Sequence, residues 1–187
     1  MTSDDLNLTV LAGPTAVGKG TVSRKLLELH PEIYLSISAT TRAPREHEID
    51  GVHYHFIDRE SFEKKINDQE FLEYAVVHGV NLYGTLWQPI LDANKAGRPA
   101  LLEIDLQGAR QVKEIAKNAK FIFLAPPSFE ELVTRLGMRG TEPLEERKKR
   151  LETAHQELAA QNEFDYVVVN DDVNRAVAEI EMIMGLN

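Results

Sequence analysis

The chain has 187 residues, a formal net charge of −9 and no cysteine. That length suits one sizeable core, and the missing thiols exclude disulfides, thiolate metal sites and cysteine nucleophiles, so a reducing cytoplasm is the expected setting. The acidity argues against a general nucleic-acid or membrane binder, and any anionic ligand must be held by a local cluster of positive groups.

Met1-Thr2-Ser3-Asp4-Asp5 has no basic segment leading into an apolar one, so no signal peptide is expected, and no apolar run approaches the length of a membrane span. The apolar run 8–12 reads as a strand, and residues 22–29 have helical spacing. Between them lies Gly13-Pro14-Thr15-Ala16-Val17-Gly18-Lys19-Gly20-Thr21. Strand, glycine loop and helix in that order are the context of a phosphate loop. Glycines at both ends let the backbone curl its N–H groups inward onto phosphate oxygens. The helix adds a partly positive N-terminus, and Lys19 adds a full charge that can reach the outer phosphates. The common pattern places a hydroxyl directly after the lysine; here that position is Gly20, and the hydroxyl arrives on Thr21. The plain alternative is a glycine-rich turn without a ligand.

Residues 34–38 read as a second short strand, after which the texture becomes polar and turn-rich as far as Tyr54. Residues 53–57 alternate like a half-buried strand, 59–69 read as a short helix and 71–77 as a further strand. This middle section is expected to be antiparallel and to lie outside the main sheet. From Leu91 buried strands and helices alternate again: strand 99–105, helix 107–117, strand 121–124. Ser128-Phe129-Glu130-Glu131 matches a capping box, so a helix is expected from there to Gly137. Residues 142–161 form a charged helical stretch with Leu144, Leu151 and Leu158 on one stripe. Residues 166–170 read as the last buried strand, and the closing helix carries Val173, Ala176, Val177, Ile180, Ile183 and Met184 on one face. Apolar strands alternating with helices predict a parallel sheet covered on both faces, hence one α/β core with two insertions.

Arg42 and Arg45 stand three apart around Pro44 in an otherwise acidic chain. Two guanidinium groups with a nearby phenol can hold a phosphate dianion, although arginines in a loop are often simply solvated. The charged stretch with Arg147, Lys148 and Lys149 reads as a solvated helix face. Only His53 and His55 of the six histidines are close in sequence, and no third ligand accompanies them, so a histidine metal site is not expected.

The stretch Ser36-Ile37-Ser38-Ala39-Thr40-Thr41-Arg42-Ala43-Pro44-Arg45, with Asp50-Gly51 and Tyr54, resembles the guanylate kinase signature. Phe71-Leu72-Glu73, Leu82-Tyr83-Gly84-Thr85, Glu103-Ile104-Asp105-Leu106-Gln107-Gly108, Pro126-Pro127-Ser128, Arg139-Gly140-Thr141, Phe164-Asp165-Tyr166 and Val169-Asn170-Asp171-Asp172 extend the resemblance in the family's order. It implies a P-loop kinase: a core of residues 1–36, 91–127 and 158–187, a GMP-binding insertion of mixed or antiparallel character at 37–90, and a helical lid at 128–157. It also implies transfer of the γ-phosphoryl group of ATP to GMP, in purine metabolism. Residues 13–21 would bind ATP. Arg42, Arg45 and Tyr54 would hold the GMP phosphate, with Tyr83 as a further contact. Glu73 would read guanine, Ser38 and Thr85 would sit near its O6, and Asp105 near the guanosine. Lys19, Arg42 and the lid arginines Arg135, Arg139 and Arg150 would neutralise charge during transfer. The implied metal is Mg2+ carried with ATP, with Glu103 as a candidate neighbour and no certain protein ligand.

The chain departs from the family's common form at Thr15-Ala16, at Gly20 and at Glu46-His47, and the segment 77–83 is one residue longer, so the register of Tyr83 and Thr85 is inferred. Two alternatives stand beside this reading: a kinase for another nucleoside monophosphate, and a catalytically inactive binding module of the same family. The implied partners are ATP and GMP, not a nucleic-acid polymer or a membrane; monomer and homodimer both remain open.

Overall fold

The structure is a computed structural model that describes residues 6–77, 80–137 and 144–186; the side chains of Val77 and of residues 144–150 lie outside that description. So do His78, Gly79, Arg139 and the start of the charged stretch at Glu142.

The main sheet is built from β1 (Leu8–Ala12), β2 (Tyr34–Leu35), β7 (Ala100–Glu103), β8 (Lys120–Ala125) and β9 (Tyr166–Val169), in the order β2-β7-β1-β8-β9. Every pairing in it is parallel. Helices α1 (Lys19–Leu29), α4 (Leu106–Ile115), α5 (Phe129–Gly137), α6 (Leu144–Ala159) and α7 (Val173–Met184) supply its cover. Period-two alternation divides the strand side chains between the faces. Leu11, Leu101, Ile122 and Val168 join Val22 and Leu26 of α1 and Val177 and Ile180 of α7 in one core. Val10, Leu102 and Phe121 join Val112 of α4 and Ile90 in the other. Burial on both sides is why these strands read as continuous apolar runs. No described helix is long and apolar enough to cross a membrane.

The second sheet holds β3 (Ala39–Thr40), β4 (His55–Phe56), β5 (Phe71–Val77) and β6 (Asn81–Leu86), in the order β4-β3-β6-β5. It is mixed: β3 pairs parallel with β4, whereas β6 runs antiparallel to β3 and β5. Its core is Ala39, Phe62, Phe71 and Leu82, with the Phe62 and Phe71 rings stacked at 4.4 Å. Phe62 lies on α2 (Arg59–Asn67), which Asp58 caps by accepting from Ser61 N at 2.7 Å. From β6 the chain passes directly into α3 (Trp87–Lys95), whose Ile90 returns it to the main core.

Three expected elements take a different form. Residues 34–38 are not one strand: Ser36 N still donates to Leu101 O of the main sheet, while Ser38 O accepts from His55 N of the second. The chain changes sheets between them, which side-chain alternation cannot register. The expected strand 53–57 shrinks to His55–Phe56, with Tyr54 in an isolated bridge to Asp50. Finally, residues 166–169 form a half-buried edge strand: Val168 lies in the core, whereas Tyr166 and Val167 are 41% and 40% exposed. Valine suits a pleated surface whether or not it is covered.

Candidate active site

The loop after β1 takes its shape from glycine. Gly13 has φ +150°, and a Cβ there would lie 2.3 Å from the Leu124 carbonyl oxygen. Gly18 has φ +101°, and a Cβ there would lie 2.6 Å from Asn170 Nδ2. Gly18 is also the N-cap of α1 and offers no capping side chain, and no acid stands in the first turn. The helix therefore begins with backbone donors that no capping side chain covers and with no acid of its own at its positive end. Lys19 Nζ donates to Gly13 O at 2.6 Å and Pro14 O at 3.4 Å, so its ammonium folds back over the loop.

Two residues without an assigned role in the sequence brace this loop. Asn170, buried beyond the end of β9, donates from Nδ2 to Val17 O at 2.8 Å and from its backbone to Ala125 O. Glu157 on α6 accepts from Thr15 N at 3.4 Å; burial raises its pKa, and the Lys19 charge pulls it back. Arg135 packs behind the loop, donating to Val17 O at 3.2 Å and Asn170 O at 3.3 Å.

Beside the loop opens a cavity of about 290 Å³. Lys19 lines it from the loop, and Glu103 and Asp105 from the end of β7. Ser38, Tyr54, Glu73 and Tyr83 line it from the second sheet and its connections. The carboxyl ends of parallel strands are where open α/β sheets place ligands, and the second sheet here forms the opposing wall.

Glu73 is the most perturbed group in the cavity. It is 6% exposed, accepts a 2.6 Å hydrogen bond from Thr85 Oγ1, and is pushed up to about 7 by burial, with Asp105 adding to the rise. That burial excludes a merely solvated surface carboxylate at this position. The register pairs Glu73 with Thr85, the β-bulge falling before it between Phe71 and Glu73, so Thr85 stays beside Glu73 with the longer 77–83 segment in place. Asp105 is the N-cap of α4, accepting from Gly108 N at 2.8 Å, and it lines the cavity as well.

Arg42 is held on several sides. Its guanidinium forms a fork with Glu48 at 2.8 and 2.9 Å, donates to Ala43 O at 2.7 Å, and gives Nε–H to Tyr83 Oη at 3.0 Å. It also lies 5.5 Å from the centre of the Tyr54 ring. Glu48 accepts from Arg45 N at 2.8 Å, and the Arg42 fork holds its carboxyl down at about 2. Burial raises the Tyr54 phenol, and the neighbouring Tyr83 raises it further.

Not every expected residue converges. The Arg45 side chain is exposed and does not line the cavity, and Thr21 is exposed on α1. Arg139 lies outside the described residues, and of Arg150 only the backbone is described, in α6. Glu48, Asn170 and Glu157 escaped sequence reading because their contacts are tertiary. A spacing of six residues from Arg42 to Glu48 matches no local pattern. Among the described residues, no three of His, Cys, Asp and Glu gather as a metal-binding group.

The guanylate kinase family model matches residues 5–186. The chain is 56% identical over 178 residues to the guanylate kinase of Leifsonia xyli subsp. xyli, covering 95% of this chain and 70% of that protein. It is 54% identical over 182 residues to the guanylate kinase of Bifidobacterium longum, covering 95% and 93%. The crystal structure of guanylate kinase from Anaplasma phagocytophilum superposes with a TM-score of 0.77 at 34% identity, over 98% of this chain and 86% of that one. A shikimate kinase from Bacteroides thetaiotaomicron, at 10% identity and a TM-score of 0.52 over 96% and 98% of the two chains, shares the fold alone. With its model matched over residues 5–186 and these relatives above half identity, the chain belongs to the guanylate kinase family.

Proposed function

We propose that the chain transfers the γ-phosphoryl group of ATP to GMP, and to dGMP, giving ADP and the corresponding diphosphate. The observation that carries this reading is one cavity lined both by Lys19 of a phosphate loop and by the buried carboxylate Glu73. A donor and an acceptor that must meet in line need such a shared space.

On the donor side, the N–H groups of residues 13–21 cradle the phosphates of ATP, and Lys19 follows the γ-phosphoryl group as charge builds on it. Its bonds to Gly13 O and Pro14 O hold the ammonium over the loop until then. On the acceptor side, guanine presents N1–H and an exocyclic amine, and ionised Glu73 accepts from both. Adenine, with an unprotonated N1, gives that carboxylate no such pair. Thr85 orients Glu73, and Ser38 and Asp105 complete the base and ribose contacts. Arg42, Arg45, Tyr54 and Tyr83 take the GMP phosphate. Its ionised oxygen is the nucleophile, so no side chain need act as a strong general base.

Mg2+ carried with ATP would supply charge neutralisation at the triphosphate. Glu103 suits it: a Cβ at residue 20 would lie 3.7 and 3.9 Å from the Glu103 oxygens, and the actual glycine leaves that space open. A carboxylate there can accept from water on the ion, which holds few protein ligands. Residues 128–157, with Arg135, Arg139 and Arg150, form a lid that closes over the triphosphate and excludes water. Residues 37–90 form the unit that carries GMP onto the core of 1–36, 91–127 and 158–187.

The test is a coupled ADP-release assay across GMP, dGMP, AMP, CMP and UMP. Turnover with GMP and dGMP, at least about 100-fold above the other three in kcat/KM, is the expected result, as a buried polar reader rejects a mismatched edge. No preference for guanine would sink the reading.

A further inference from the structure

Helix α4 meets the second sheet at Glu73 and at the residue beside it. Gly108, in the first turn, lies so close to Glu73 that a Cβ would stand 2.7 Å from its Oε2 and 3.1 Å from its Cδ. One turn later, Gln111 lays its side-chain amide along Tyr74: Nε2 donates to Tyr74 O at 2.8 Å, and Oε1 accepts from Tyr74 N at 3.2 Å. β5 is an edge strand of its sheet. A single carboxamide there satisfies a donor and an acceptor that the missing neighbour strand would have paired. The spacing of three puts Gly108 and Gln111 on one face of the helix. Alternation along β5 puts Glu73 and Ala75 on the cavity side, while Tyr74 points away, 41% exposed.

We propose that Gly108 and Gln111 are positioning residues for guanine recognition, setting the height and direction at which Glu73 enters the cavity. The inference rests on Glu73 being the guanine reader. Gln111 anchors the strand backbone to the core helix, so the carboxylate cannot slide along the sheet edge. Gly108 leaves the one space in which Oε2 can lie against the helix, beside Asp105, whose Oδ1 the same residue's N–H holds. Thr85 fixes Oε1 from the other side. The carboxylate is thereby wedged between α4 and β6, with its accepting edge presented to a base.

The test uses Gly108→Ala, Gln111→Met and, as reference, Glu73→Gln, each assayed with ATP and either GMP or IMP, whose base lacks the exocyclic 2-amine. Alanine is a better helix residue than glycine, so a loss in Gly108→Ala does not follow from helix propensity. Both α4 variants are expected to raise KM for GMP five- to tenfold and to lower the GMP-over-IMP ratio of kcat/KM at least threefold, with KM for ATP within twofold. Glu73→Gln should abolish most of that ratio. If it does not, the assignment of Glu73 itself fails, and the proposal falls with it. If Glu73→Gln removes the preference while both α4 variants keep wild-type GMP KM and ratio, only the positioning role is overturned. A uniform fall in kcat with the ratio preserved would likewise reduce Gly108 and Gln111 to structural residues.

Discussion

The glycine loop and the proposed acceptor pocket are built by opposite means. The loop is contiguous, nine residues that run from the end of β1 into the first turn of α1, and most of its donors are backbone N–H groups whose direction follows from φ and ψ. The pocket is assembled from side chains at residues 38, 42, 54, 73, 83 and 105, carried on several strands and connections of two sheets. Backbone recognition rests on the curl, in which Ala16 itself holds a left-handed φ of 67°. In side-chain recognition each group depends on a partner: Arg42 on Glu48, Glu73 on Thr85, Asp105 on Gly108.

The largest effect is expected at Lys19, the loop's own charged side chain. Lys19→Ala should cut kcat about 10³-fold, the scale of losing a preorganised charge at a transferring phosphoryl group, while circular dichroism and the thermal midpoint stay near wild type. Activity within tenfold of wild type would mean that the loop works through its backbone alone.

Glu73→Gln separates stability from recognition in the pocket. The folded-state pKa is raised from 4.5 to about 7, so the folded protein binds this proton more readily than the unfolded chain. Stability is therefore lost as pH rises from about 4.5 to 7 and stays lost above, by a few kcal/mol at roughly 1.4 kcal/mol per unit. The glutamine variant should gain thermal stability over wild type at pH 8 and lose that advantage near pH 4.5. In wild type, the same titration should lower the preference for GMP over IMP as pH falls below about 7. A wild-type preference flat from pH 5.5 to 8 would show that the carboxylate stays ionised.

The smallest effect is expected away from both sites. His30 ends α1, 2.7 Å from Glu181 of α7 and 3.1 Å from Glu32, and the Glu181 hydrogen bond is the leading reason its pKa is raised. A raised histidine contributes stability that is fully present below about pH 6.5 and disappears as pH climbs through the folded value. His30→Gln should cost less than about 1 kcal/mol at pH 5.5 and nothing measurable at pH 9, with kcat unchanged at either pH. A larger cost, or one independent of pH, would mean that His30 matters by packing and not by charge.

Much of the fold was legible because it rests on local rules. The parallel sheet was readable from apolar runs, the α5 start from Ser128, whose Oγ accepts from Glu131 N, and the last helix from its apolar face. Capping and periodicity are properties of a few adjacent residues, so they survive without knowledge of the rest of the chain. The site was half legible in the same sense: Gly13, Gly18 and Lys19 announce a phosphate loop by spacing alone. The family resemblance then named Ser38, Arg42, Arg45, Tyr54, Glu73, Tyr83, Thr85 and Asp105, and all but the exposed Arg45 line one cavity or touch a residue that does.

Tertiary structure alone decided the rest. It split residues 34–38 between two sheets, left Tyr166 and Val167 on an exposed edge, buried Glu73 and moved its proton affinity. It also brought Asn170 to Val17 across 153 positions and Gln111 to Tyr74 across 37. These outcomes share one cause. Exposure, proton affinity and long-range pairing depend on what the surrounding chain places within a few ångströms, and no stretch of sequence carries its own surroundings.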